Sequence, residues 1–174
     1  MAYAHMQNSS IAPVVKSFPA VARSDAKILI LGSMPSRESL DASQYYAHPR
    51  NLFWPIIGQL TGAIPTLPYE QRLFLLQKSN IAMWDVLKTC VRAGSLDNNI
   101  TDEVPNDLAS FLKNHPKIRK ICFNGKKAEE SFGTHFPELR ANRTYRFLAL
   151  PSTSPAHASL TYEQKLESWK TILY

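Results

Sequence analysis

The strongest constraint on the fold is a short apolar run, Ile28-Leu29-Ile30-Leu31, that closes on Gly32. Four apolar residues without polar alternation read as a strand buried on both faces, and such strands belong to parallel sheets with helices above and below. The run is far shorter than the about 18 residues of a membrane span. Residues 80–87, 118–123 and 145–150 are further strands, and helical stretches lie between them. Residues 51–60 place Leu52, Phe53, Ile56, Ile57 and Leu60 at helical spacing, with Pro55 tolerable in a first turn. Residues 69–78, 106–114, 126–136 and 161–173 supply the other helices.

Strands alternating with helices imply right-handed crossovers. The predicted fold is therefore an α/β three-layer α/β/α sandwich around a central, mostly parallel four-stranded sheet. Residues 89–104 are polar, contain Gly94, Asp97, Asn98 and Asn99, show no sustained period and read as a long functional loop. Residues 1–25 read as a loosely packed leader ahead of a single domain at 26–174.

With 174 residues, 44% of them hydrophobic, the chain suits one domain with a sizeable core. Cys90 and Cys122 are too few for a disulfide framework or a four-thiolate metal site, which favours a reducing cytoplasm. No signal-peptide pattern opens the chain, and a soluble monomer away from membranes is expected. Twenty basic residues against 14 acidic ones leave a charge of +6. Lys113, Lys117, Arg119, Lys120, Lys126 and Lys127 fall in one acid-free stretch, followed by Arg140, Arg143 and Arg146. Such a concentration suits a nucleic-acid partner; the alternative is a solvated rim around a strand.

In sheets of this kind ligands sit beyond the carboxyl ends of the strands, so the segments that follow them are the candidate site. Gly32-Ser33-Met34-Pro35-Ser36 follows the first strand and matches neither a Walker loop nor a dinucleotide-binding fingerprint. Tyr45-Tyr46-Ala47-His48-Pro49-Arg50-Asn51-Leu52-Phe53-Trp54 compresses rings, a cation and an amide into ten residues at the mouth of a helix. A base stacks on a tyrosine face, a carboxamide orients water or reads a base edge, and Arg50 takes a phosphate. Phe53 and Trp54 are assigned to the core, and Asn51 to the site in preference to a helix cap. Pro151-Ser152-Thr153-Ser154-Pro155-Ala156-His157 follows the last strand as a hydroxyl-rich, proline-bounded loop suited to phosphate. His5, His48, His115 and His135 make no metal-ligand spacing, and no serine has a nucleophile-elbow context.

The order of these pieces, with Asn124-Gly125-Lys126-Lys127-Ala128 after the third strand, resembles the uracil-DNA glycosylase superfamily from Lys27 to about Leu173. The similarity is strongest to its hypoxanthine-DNA glycosylase (deoxyinosine) branch, through Gly-Ser-Met-Pro-Ser, Trp84-Asp85-Val86-Leu87 and Gly94-Ser95-Leu96-Asp97. The resemblance implies a monofunctional enzyme of base-excision repair that flips a deaminated nucleotide from DNA and hydrolyses its glycosidic bond without metal or cofactor. Excision of uracil or mismatched thymine is the enzymatic alternative, and a basic DNA-binding module the non-enzymatic one.

Two departures shape the roles. Met34 stands where relatives carry a water-holding Asn or Asp, and a thioether makes no strong hydrogen bond. The water-positioning role is therefore implied for Asn51. Leu150 stands where many relatives carry a histidine that assists the leaving base. Tyr46 matches the family's stacking aromatic, and Ser33 and Ser36 line the first wall. Asp85 and Asn124 are candidate base contacts; alternatively Asp85 caps or pairs within its own turn, and Asn124 only closes the Asn-Gly turn. Arg50, Lys126, Ser152, Thr153, Ser154 and His157 are candidate DNA contacts, with Ala156 or His157 near the space left by the flipped nucleotide.

Overall fold

The structure is a computed structural model and describes residues 11–174. In chain order its elements are β1 (Val14–Lys16), β2 (Ile28–Gly32), α1 (Arg37–Ala42), α2 (Phe53–Thr61), α3 (Tyr69–Lys78), β3 (Ile81–Asp85) and β4 (Leu87–Val91). A 3-10 turn at Asp97–Asn99 leads to β5 (Thr101–Pro105), followed by α4 (Leu108–Asn114), β6 (Lys120–Asn124), α5 (Lys126–His135), α6 (Pro137–Ala141) and β7 (Arg146–Leu150). The chain then forms α7 (Tyr162–Trp169) and a 3-10 turn at Lys170–Leu173.

Four strands form the central sheet in the order β3-β2-β6-β7, every pair parallel. The side-chain period of two divides them between two cores. Leu29, Leu31, Ile121 and Phe123 face Leu108, Leu112, Ala128 and Phe132 of α4 and α5. Ile30, Ile81, Met83 and Cys122 face Phe53, Ile57, Leu76 and Trp169 of α2, α3 and α7. The three-layer sandwich expected from the sequence is thus present. Because β3 and β6 flank β2 on opposite sides, the connections reverse direction there, and this switch point opens the crevice at the carboxyl ends.

Two expectations are corrected. Residues 89–104 are not one loop: β4 and β5 pair antiparallel within them, with a bulged register, and only the segment between them is irregular. β5 reads Thr-Asp-Glu-Val-Pro and is largely exposed, so it carries no apolar signal. The supposed leader is also engaged where it is described. Val14, Val15 and Lys16 pair with Val91, Cys90 and Thr89, completing a second sheet of order β1-β4-β5. Val21 exchanges backbone hydrogen bonds with Met83 at 2.9 Å, and Trp84 Nε1 donates to the Phe18 carbonyl at 2.9 Å. Residues 1–10 lie outside the described residues. Cys90 and Cys122 are free and buried, and no helix among the described residues is long and apolar enough to cross a membrane.

Candidate active site

A cavity of about 450 Å³ opens where β2, β3, β6 and β7 end. Its first wall is the turn after β2. Ser36 caps α1 by accepting from the Ser39 N–H, and the Ser33 hydroxyl donates to Asp97 at 2.6 Å. Gly32 is required here, because a Cβ on it would stand 2.6 Å from Asp85 Oδ1 and 3.1 Å from the Tyr46 hydroxyl. The absent side chain lets a carboxyl and a phenol converge over the end of the central strand.

Tyr46 adopts a left-handed backbone at φ 56°, uncommon for a bulky residue, and its ring stacks on Phe53 at 3.9 Å between centroids. One ring face is thereby occupied, and the residue lines the cavity. Asn51 lies just before α2, where its Oδ1 accepts from the Phe53 N–H at 2.9 Å. The N-cap of α2 is Leu52, with no side-chain cap; Asn51, one residue earlier, accepts from the first helical N–H and also lines the cavity. Oδ1 has a second lone pair, and no hydrogen bond among the described residues occupies Nδ2.

Asp85 lies on the cavity floor and is 3% exposed. It neither caps a helix nor forms an ion pair among the described residues, and its Oδ2 is buried without a hydrogen-bond partner. Burial pushes its carboxyl up to about 8, with nearby Arg92 opposing the shift and Asp97 adding to it. Burial likewise raises Asp97, against the stabilising Ser33 hydroxyl. The phenol of Tyr46 is raised above the ordinary tyrosine range by burial and by Asp85, and its oxygen also lacks a partner. Arg92 is 1% exposed, donates to the Pro35 carbonyl and leaves Nε and Nη1 unpaired.

The opposite wall, after β7, is fully braced. Asn124 Nδ2 donates to Thr153 Oγ1 and the Thr153 N–H donates to Asn124 Oδ1, both at 2.9 Å. The Leu52 N–H donates to the Thr153 carbonyl at 3.0 Å, linking this loop to the mouth of α2. From α7, Trp169 Nε1 reaches the Pro151 carbonyl at 3.0 Å and Lys165 Nζ the His157 carbonyl at 2.6 Å. Ser152 and Ser154 accept from the N–H groups of Ser154 and Ala156, while His157 is exposed beside Ser159.

All the sequence-selected residues line this cavity except Arg50, which is exposed outside its lining. Two of them also brace the wall: Asn124 makes one bond to Thr153 from each end of its carboxamide, which leaves its second Nδ2 hydrogen uncommitted, and Thr153 is 1% exposed. The basic stretch is also divided by the fold. Lys126 stands at the cavity mouth, 86% exposed beside Glu130, whereas Lys120 starts β6 at the far end of the sheet and donates to the Ile172 carbonyl at 2.7 Å. Lys127 lines the mouth but is paired with Glu103. The sequence reading missed Asp97 and Arg92 as site-forming side chains. Asp97 lies in the Gly94–Asp97 motif and Arg92 only in the polar stretch around it, and their partners, Ser33 and Pro35, lie 64 and 57 residues away in the chain.

The site is thus a polar cavity at the switch point of a parallel sandwich, flanked by a stacked aromatic pair and a hydroxyl-rich loop. A sequence model described as "Uracil DNA glycosylase superfamily" matches residues 18–173, and the chain belongs to that superfamily. It is 39% identical over 160 residues to a hypoxanthine DNA glycosylase of Methanosarcina acetivorans, covering 91% of this chain and 98% of the relative. It is 36% identical over 146 residues to the hypoxanthine DNA glycosylase of Methanosarcina barkeri, covering 83% and 90%. A solution NMR structure from M. acetivorans, described as a candidate uracil DNA glycosylase, superposes with a TM-score of 0.78 at 38% identity, covering 92% of this chain and 98% of that one.

Proposed function

We propose that this protein is a monofunctional DNA glycosylase of base-excision repair that removes hypoxanthine from deoxyinosine. The reading rests above all on one juxtaposition: Asn51, Asp85 and Tyr46, whose ring is stacked on the buried Phe53, line a single cavity of about 450 Å³. The two relatives named hypoxanthine DNA glycosylase give the same substrate.

The chemistry follows from the residues. A nucleotide must leave the duplex before its C1′ becomes accessible, and phosphate contacts along the loop from Ser152 to His157 help offset the unstacking. Inside, the base lies on the open face of Tyr46, supported from behind by Phe53. As the bond from C1′ to N9 lengthens, positive charge develops on the sugar, and water held by Asn51 captures it. An amide is a poor base, but attack on a cation demands orientation more than deprotonation. Of the two cavity-lining lysines, Lys127 is paired with Glu103 and Lys126 is exposed beside Glu130, so neither is a buried amine of the kind a lyase uses, which supports hydrolysis without strand cleavage.

Labelled duplexes containing deoxyinosine, deoxyuridine or a G·T pair, incubated with the protein and then with hot alkali, test the reading. Strand breaks are expected chiefly at deoxyinosine. Asn51→Ala should lower single-turnover excision by about 100- to 1,000-fold with affinity for DNA retained. Tight binding with no breaks in any duplex would leave a DNA-binding module instead.

A further inference from the structure

The cavity holds a carboxyl whose use the water-positioning chemistry does not explain. We propose that Asp85, in its neutral form, is the hydrogen-bond donor that stabilises the departing base; this rests on the glycosylase reading above.

Departure of hypoxanthine breaks the bond from C1′ to N9 and sends its electron pair into the purine, so negative charge grows on N7 and O6. Water adds to C1′ and loses its proton to solvent. A fixed donor aimed at the growing charge speeds such a step, whereas an ionised carboxylate in the same place opposes it. The end of β7, where Leu150 is buried, supplies no donor side chain. Ser33 donates to Asp97 and Lys127 pairs with Glu103, which leaves the Tyr46 hydroxyl and the Asp85 carboxyl as the buried cavity-lining groups without partners among the described residues. Asp85 is buried on the floor with Oδ2 unpartnered, an arrangement that costs folding free energy unless a ligand completes it.

The surroundings favour the protonated acid. β2 presents only Gly32 beside it, so no cation arrives from the central strand. From the preceding loop come Tyr45 and Tyr46, both held neutral; the Tyr45 hydroxyl donates to the Pro19 carbonyl at 3.2 Å. From the segment between β4 and β5 come Asp97, whose charge disfavours ionisation, and Arg92, whose charge favours it. Burial outweighs Arg92 and pushes the carboxyl up to about 8. A neutral carboxylic acid that donates within an apolar site is established enzyme chemistry.

The test is the pH dependence of single-turnover excision from a deoxyinosine oligonucleotide, together with a ¹³C carboxyl titration of the free protein by NMR. Above the Asp85 midpoint the wild-type rate should fall about tenfold per pH unit. Asp85→Asn keeps a donor and cannot ionise, so that limb should vanish. Asp85→Ala removes the donor and should lower the rate at neutral pH by about 100-fold. A limb that persists in Asp85→Asn, a wild-type rate in Asp85→Ala, or an Asp85 midpoint in the ordinary carboxylate range would each overturn the assignment. If the wild-type protein leaves deoxyinosine intact at every pH, the glycosylase reading itself fails. The NMR midpoint then judges the neutral acid independently.

Discussion

Asp85 and Asn124 end the two strands that flank β2, at the same level of the sheet, and the protein uses them in opposite ways. Asn124 ties each end of its carboxamide to Thr153 by one bond, so that β6, the loop after β7 and the mouth of α2 form one braced wall. Asp85 is buried as deeply, yet its Oδ2 is left without a partner. Buried polar groups in a relaxed fold are satisfied, so the side that is not satisfied is the side kept for substrate. Residue type alone points the other way, since an amide is the more familiar reader of a base edge.

The sharpest way to break this contrast is Asn124→Ala. It leaves the Thr153 N–H and hydroxyl buried without their partner and should cost about 3 kcal/mol, read as a lowered urea midpoint. A variant that stays fully stable but loses excision would make Asn124 the base reader. Next comes the pH dependence of stability. The folded carboxyl of Asp85 binds its proton more tightly than the unfolded one, so wild-type stability falls as pH rises from about 4 to about 8. Asp85→Asn has no such slope, and its advantage over wild type should grow across that window by at least about 1.4 kcal/mol, the equivalent of one pKa unit. Urea titrations at pH 5 and 8 measure it; an unchanged difference would mean that Asp85 is ionised in the native state. The smallest effect is expected at the mouth. Lys126→Ala should reduce the salt dependence of duplex binding by slightly less than one unit of log–log slope, with intrinsic excision unchanged. Its surface pairing with Glu130 contributes little stability, so phosphate can displace it.

Much of this is legible in the sequence. The parallel strands announce themselves as apolar runs, and α3 falls at residues 69–78, where the sequence pattern places it. The turns after those strands locate the cavity because topology puts ligands there. The second sheet was not legible: β1 has only three residues and β5 buries none of its residues, so neither carries a hydrophobic period. Nor could spacing reveal that Thr153 faces inward, or that Arg92 and Asp97 return to the first turn. Those contacts are long in sequence and exist only once the sheet has brought its strand ends together. The basic stretch shows the converse risk. Lys120 and Lys126 are near neighbours in the chain but stand at opposite ends of β6, so a linear count of charge overstates the face that meets DNA.

The bond from the Phe53 N–H to Asn51 has a further thermodynamic meaning. A free asparagine would have to be immobilised each time a nucleoside arrived, at a cost deducted from binding. Anchored to the opening turn of α2, the amide is already still when the sugar comes within reach. The entropy of aiming is spent once, during folding, and each catalytic cycle begins with the aim in place.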